Sequence, residues 1–182
     1  MPGARQILIE PLDTQKHDRA AFSSGVEPVD NFLQKTAGKL MKGGTARVFV
    51  AVDPEDAPET VLGFYSINAH SVEYKELPGR YRRYALAGDN VPAAFIGMMG
   101  VTTTAQGQGL GSLLLADALK GAYHASQRVG TAVVVLDVLD CGNPAAIARR
   151  QKLYEGFGFQ CLPSRKLRMF LPVATIADAL QS

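Results

Sequence analysis

Apolar residues recur along this chain with two different periods, and the switches between them mark out its elements. Gln6 to Leu12 reads as a short first strand, and the polar stretch Asp13 to Ala21 as a helical turn or two. From Glu27 onward, Val29, Phe32, Leu33, Ala37, Leu40 and Met41 fall at helical spacing until Gly43 and Gly44 stop the run, which predicts one amphipathic helix. Ala46 to Asp53 and Val61 to Ser71 are strand-like runs rich in Val, Phe, Tyr and Ile, and the polar Pro54 to Thr60 between them has hairpin composition, so the two should pair antiparallel. Glu73 to Asn90 mixes Pro, Gly, Arg and Tyr and breaks the pattern as a long excursion, a type of segment that often carries function. Ala93 to Thr102 is a further strand, followed by a Gly-rich turn and a helix from about Gly109 to Ser126 whose inward stripe is Gly111, Leu114, Leu115, Ala118 and Ala122. Thr131 to Leu139 is a Val-rich buried strand, Pro144 to Glu155 a helix with proline at its start, and Lys166 to Leu171 a last strand.

The chain has 182 residues, of which 47% are hydrophobic, enough for one sizeable core in a single domain spanning 1–182. A net charge of +2 is too small to mark a general binder of nucleic acid or membrane, although it leaves room for a local basic patch. Cys141 and Cys161 form no CxxC pair and have no histidine cluster near them, which excludes a zinc motif and a disulfide framework and fits a reducing cytoplasm. Met1 to Glu10 lacks the basic start and apolar stretch of a signal peptide, and no uninterrupted apolar run reaches about 18 residues, so a soluble cytosolic protein without a membrane partner is expected.

The chemistry concentrates in the Gly-rich turn. A strand that runs into closely spaced glycines and then a helix leaves backbone N–H groups unpaired at the positive end of the helix dipole. Gly107, Gly109 and Gly111 let that backbone approach an anion closely, so the turn suits phosphate. A Walker loop is excluded, because Gly111 is followed by Ser112 with no lysine. A dinucleotide fingerprint is excluded as well, because its third glycine would stand where Ser112 stands.

The pattern that fits is Q/R-x-x-G-x-G/A, with Gln106, Gly109 and Gly111 at the defining positions, and there the chain resembles the GNAT superfamily of N-acetyltransferases. Tyr154, Gly156, Phe157, Gly158 and Phe159 resemble that family's Y-x-x-x-G-F ending, with an additional aromatic-glycine step. Phe22 to Gly25 with Val29, Asp30, Phe32 and Leu33, then Gly44 with Arg47 to Val50, Leu62 to Ser66, and Leu167, Met169, Leu171 and Pro172, look like the acetyltransferase toxins of bacterial toxin-antitoxin pairs. The resemblance implies an α/β (α+β) fold with a mixed, mostly antiparallel central sheet of about six to seven strands flanked by helices. It implies acetyl-CoA as cofactor, bound by Gln106, Gly107, Gln108, Gly109, Leu110, Gly111 and Ser112 at its pyrophosphate and by the backbone of Met99, Gly100 and Val101 along its pantetheine arm. It also implies an aminoacyl-tRNA as acceptor, an antitoxin of ribbon-helix-helix type as partner, and a homodimer.

An amine attacking a thioester builds charge on the carbonyl oxygen and expels a thiolate, so the site needs an N–H donor and a proton. Gly100 suits a distorted strand end that would supply the donor. Tyr154 matches the family's general-acid tyrosine, and a phenol with a pKa of about 10 stays protonated at neutral pH. No base stands out: Glu73 and His70 could lie near the acceptor side but read better as a surface carboxylate and a strand-end histidine, and an aminoacyl amine of lowered pKa needs none. Ile147 stands where the family often carries an asparagine, and Asn143 lies farther upstream. Cys141 reads as a small inert residue, since direct transfer has no use for a covalent intermediate. Arg80, Arg82 and Arg83 interleave with Tyr81 and Tyr84, and Arg149 and Arg150 lie with Lys152 in the last predicted helix. Such groups bind RNA phosphates and stack on unpaired bases. Two other readings stay open: an acetyltransferase for a small-molecule or protein amine, and a non-catalytic acyl-CoA-binding or partner-binding domain.

Overall fold

A computed structural model describes residues 5–182. Seven strands form one mixed sheet in the order β1-β2-β3-β4-β5-β7-β6. They are β1 Leu8–Pro11, β2 Arg47–Val52, β3 Gly63–Glu73, β4 Asn90–Val101, β5 Val133–Asp137, β6 Gln160–Leu162 and β7 Arg165–Pro172. β1 with β2, β2 with β3, β5 with β7 and β6 with β7 pair antiparallel. β4 and β5 are parallel, with Ala93 opposite Val133 and Ile96 opposite Leu136, and a parallel pair needs a crossover. Helix α3, Leu110–Ser126, provides it. The mixed, mostly antiparallel sheet with flanking helices is the fold class that the sequence implied.

The chain divides into two compact units, Met1–Ile67 with Gly97–Ala118 and Asn68–Ile96 with Leu119–Ser182, and β3, β4 and α3 each run through both. In the first unit the predicted single helix is built in three pieces, α1 Glu27–Asn31, a π turn Phe32–Thr36, and α2 Ala37–Lys42. Val29, Leu33 and Ala37 are its buried residues, each four positions after the last. That spacing overshoots an α turn of 3.6 residues, and the wider π turn takes up the excess so that one face stays buried. Phe64 on β3 is fully buried and meets Phe22 edge-on at 5.3 Å and Phe32 in a stack at 5.9 Å.

The expected helical turns at Asp13 to Ala21 do not form. Asp13 Oδ1 accepts the amides of Gln15 and Lys16, and Asp18 Oδ1 those of Ala20 and Ala21. Side chains thus take donors that a helix would need, a competition typical of aspartate. His17 closes the turn, fully buried, its Nδ1 accepting the Asp13 amide while Nε2 lies 2.9 Å from Glu10.

In the second unit the predicted excursion consists of two short 3-10 turns, Tyr74–Glu76 and Gly79–Tyr84. It is part of the core: Tyr81 is buried and meets Phe170 edge-on at 5.3 Å, within a cluster of Val72, Leu77, Val91, Val133 and Val135. Helix α4 covers Pro144–Gly156. Two elements were not read from the sequence. β6 is too short to show a period, and α5, Val173–Gln181, starts directly from the end of β7 with Val173 and Ile176 buried.

Candidate active site

The Gly-rich turn is held open by its own geometry and fixed by its neighbours. After β4, a 3-10 turn at Thr103–Ala105 leads into Gln106, Gly107, Gln108 and Gly109. Gly107 and Gly109 adopt φ of +76° and +80°, and a Cβ built at either would meet no protein atom within 4 Å. Left-handed residues in such turns are the backbone setting in which anion-binding nests form. The Ala105 amide reaches Thr102 O at 2.9 Å and the Leu113 amide reaches Gly109 O at 3.2 Å. Between those two, no amide from Gln106 to Ser112 has a hydrogen-bond acceptor among the described residues. Those donors lie at the N-terminus of a 17-residue helix, whose dipole favours negative charge there.

The Gln106 side chain has a different task from the one a phosphate clamp suggests. Its Nε2 donates to Ser24 O and to Val101 O, both at 2.9 Å. Ser24 is in turn fixed by Asp30, whose Oδ1 accepts from the Ser24 amide at 2.7 Å and its hydroxyl at 2.6 Å. Thr103 N and Thr102 Oγ1 both donate to Ser23 O. The segment Phe22 to Asp30 therefore holds the turn from outside. Gln108 reaches back to Thr104 O at 3.3 Å.

Met99, Gly100 and Val101 form the end of β4, all half-buried. Glycine is required at 100 by packing, because a Cβ there would run into Val29 Cγ1 and lie 3.2 Å from Phe64 and 3.5 Å from Phe22. Two residues earlier the Met98 amide donates to the buried Ser66 hydroxyl at 2.8 Å, a side chain standing in for a backbone acceptor. Tyr65, next to it, donates to Asp117 Oδ2 of α3 at 2.6 Å, and burial followed by this bond pushes its phenol above the ordinary range. No sequence motif points to this Tyr65–Asp117 link, since its partners are far apart in the chain.

In the second unit, α4 begins with Asn143, whose Oδ1 accepts the amides of Ala145 and Ala146 at 3.1 and 3.3 Å, so this asparagine is a helix cap. Tyr154 lies in the last turn, buried, with the Phe159 ring edge-on at 6.1 Å. Burial raises its phenol above the ordinary value, and the charge of Arg150 pulls it partly back. The additional aromatic-glycine step has a clear cause. Gly158 takes φ +96° to end the helix, and a Cβ there would press on Leu171 at 3.3 Å.

Arg150 is half-buried and turned inward, its Nη1 donating to Leu139 O at 3.4 Å and to Cys141 Sγ at 3.2 Å, whereas Arg149 is exposed. The Arg150 bond lowers the Cys141 thiol below its ordinary value. Arg80, Arg82 and Arg83 are exposed, with their guanidinium groups over the rings of Tyr81, Tyr74 and Tyr84 at 5.0, 5.2 and 4.8 Å. Among the described residues no group of three or more potential metal ligands occurs, and no helix is long and apolar enough to cross a membrane.

Comparison with known proteins adds to this geometry. The family model described as Acetyltransferase (GNAT) domain matches residues 44–161. A protein of Sinorhizobium fredii named "Probable toxin TacT" is 49% identical over 178 residues, covering 98% of this chain and 97% of its own length. The "tRNA-acetylating toxin" of Mycobacterium tuberculosis is 30% identical over 154 residues, 85% of each chain. Among solved structures, AtaT complexed with acetyl-methionyl-tRNAfMet has the same fold, with a TM-score of 0.82 at 22% identity, covering 97% of this chain and 100% of that one. A mutant AtaT toxin bound to the C-terminus of the antitoxin AtaR and acetyl-CoA is also similar, with a TM-score of 0.78 at 21% identity over 97% of this chain and 99% of that one.

Proposed function

The chain belongs to the GNAT acetyltransferase family, and from that membership we propose that it transfers acetyl from acetyl-CoA to the amino group of an aminoacyl-tRNA, as the toxin of a toxin-antitoxin pair. The observation that carries the reading is the 49% identity with a TacT toxin along nearly the whole chain, seconded by a relative that acetylates tRNA. The whole of 1–182 then serves as one N-acetyltransferase domain. Its workplace is the cytoplasm, where charged tRNA is found, and its antitoxin is a ribbon-helix-helix protein.

The free amides from Gln106 to Ser112 fit a diphosphate: they are unpaired among the described residues and lie at the positive end of a helix. Gln106, Gly107, Gln108, Gly109, Leu110, Gly111 and Ser112 would hold it, and the backbone of Met99, Gly100 and Val101 would pair with the pantetheine arm. Acetyl-CoA supplies an acetyl group activated as a thioester. Attack by an uncharged amine forms a C–N bond, breaks the C–S bond, and leaves one proton to be shed by nitrogen and one to be gained by sulfur.

Tyr154 holds the latter proton at its phenol oxygen. Its burial disfavours the phenolate, so the proton is present throughout the neutral range. Arg82 and Arg83, exposed and lying near the rings of Tyr74 and Tyr84, offer phosphate-binding charge beside aromatic side chains, and Arg149 with Arg150 offers a second basic group on α4. The inward turn of Arg150 leaves Arg149 as the stronger contact of the two.

The test is acetyl transfer from radiolabelled acetyl-CoA to a panel of charged tRNAs and simple amines, run beside calorimetry with acetyl-CoA. Label on aminoacyl-tRNA is the expected result. Label on simple amines alone would establish the small-amine reading instead, and acetyl-CoA binding without transfer to any acceptor would establish a binding domain.

A further inference from the structure

One cluster of the second unit has no part in the chemistry above. Asp137 is the last residue of β5, and Arg168 stands opposite it on β7. The guanidinium grips the carboxylate with both arms, Nε to Oδ1 at 2.7 Å and Nη2 to Oδ2 at 2.8 Å. The two side chains differ in exposure: that of Arg168 is 16% exposed, while that of Asp137 is 46% exposed. Arg168 also lies over the half-buried ring of Phe95 at 5.6 Å, and His70 packs against the same ring at 5.2 Å. Glu76, the next carboxylate in this region, is 3.5 Å from Arg165.

A simple cross-strand ion pair needs no such arrangement. Here a nearly buried cation underlies a carboxylate that faces outward, beside an aromatic surface. A carboxylate oxygen has two lone-pair directions, and the fork occupies one on each, leaving the others to accept from a ligand. The ligand chemistry follows from the charge. A lone carboxylate would stabilise an ammonium ion, which cannot attack a thioester, whereas a carboxylate neutralised by arginine accepts an N–H bond without favouring the protonated amine.

We infer that Asp137, held by Arg168 beside Phe95, receives the amino group of the acceptor as an uncharged hydrogen-bond donor, with the aminoacyl side chain against the Phe95 ring. The inference rests on the acetyltransferase reading above and adds its acceptor site.

The experiment uses the full chain and an aminoacyl-adenosine in which an amide replaces the ester, so that binding is read without turnover. Asp137→Ala should weaken this analogue, and lower kcat/KM for charged tRNA, by about 10- to 100-fold, the loss of one charged hydrogen bond. Acetyl-CoA affinity should stay at the wild-type value, while the melting temperature falls because Arg168 loses its partner. Arg168→Met leaves the carboxylate unneutralised, so turnover should reach its plateau at a higher pH than in the wild type. The other titratable and charged groups facing this cluster are His70, Glu76 and Arg165; burial and then the Arg168 charge hold His70 below its ordinary value, so the comparison is made in a His70→Asn background, where the same shift is expected. A shift of that limb is not expected of a residue that only holds two strands together. Wild-type analogue affinity in Asp137→Ala overturns the inference, and so does a loss that extends equally to acetyl-CoA. A wild-type chain that transfers acetyl to no amine at all overturns the acetyltransferase reading itself.

Discussion

Gly109 separates the strain of a turn from its purpose. It adopts φ +80° with open space where a Cβ would be. Gly109→Ala therefore creates no clash and removes no packing. Its cost to folding is the left-handed conformation alone, about 1–2 kcal/mol. For a chain of this size that lowers the melting temperature by about 2–8 °C. The effect on acetyl-CoA should be of another order. The methyl group stands in the turn that carries the free amides, and a chain relaxing to negative φ would turn the Leu110 amide away. Losing one charge-assisted amide bond of about 1.5–3 kcal/mol weakens binding by about 10- to 100-fold. Gly44 is the matched control, because its φ is +71° and its Cβ position is equally open, but it follows the C-cap of α2 and is no part of the Gly-rich turn. Calorimetry with acetyl-CoA and thermal unfolding of both variants decide the matter. Similar melting losses with affinity lost only in Gly109→Ala is the expected pattern. Undiminished affinity in Gly109→Ala, or an equal loss in Gly44→Ala, would refute the reasoning.

Gly100→Ala should destabilise by about 1–3 kcal/mol through overpacking against Val29, Phe64 and Phe22. Adding Val29→Ala should return part of that loss in a denaturant titration, whereas fully additive losses would show that the contact is not the cause. Tyr154→Phe keeps the ring against Phe159 and removes only the hydroxyl, so acetyl-CoA should bind normally while single-turnover transfer slows by about 10²- to 10⁴-fold. Charge reversal of Arg82 and Arg83 should weaken acetylation of tRNA far more than acetyl-CoA binding, and should flatten its dependence on salt. Equal loss of both activities would remove these arginines from the acceptor surface.

What the sequence determined by itself was local. A strand, three spaced glycines and a helix are adjacent in the chain, so the Gly-rich turn was readable from Gln106 to Gly111, as was the helix running on from it. Periodicity likewise marked Val29, Leu33 and Ala37 as one face, though the π turn that keeps them aligned has no signature of its own. Tertiary structure decided what depends on partners distant in sequence. Gln106 is an anchor to Ser24, 82 positions away, and Tyr65 bonds to Asp117 across 52. The Arg/Tyr excursion reads as a loop from composition, but Tyr81 is buried because Phe170 needs a neighbour. Asp137 and Arg168 face each other only through the register of β5 on β7. Spacing along a chain fixes which donors point together within a turn, whereas pairing between strands is fixed by which faces can be buried at once.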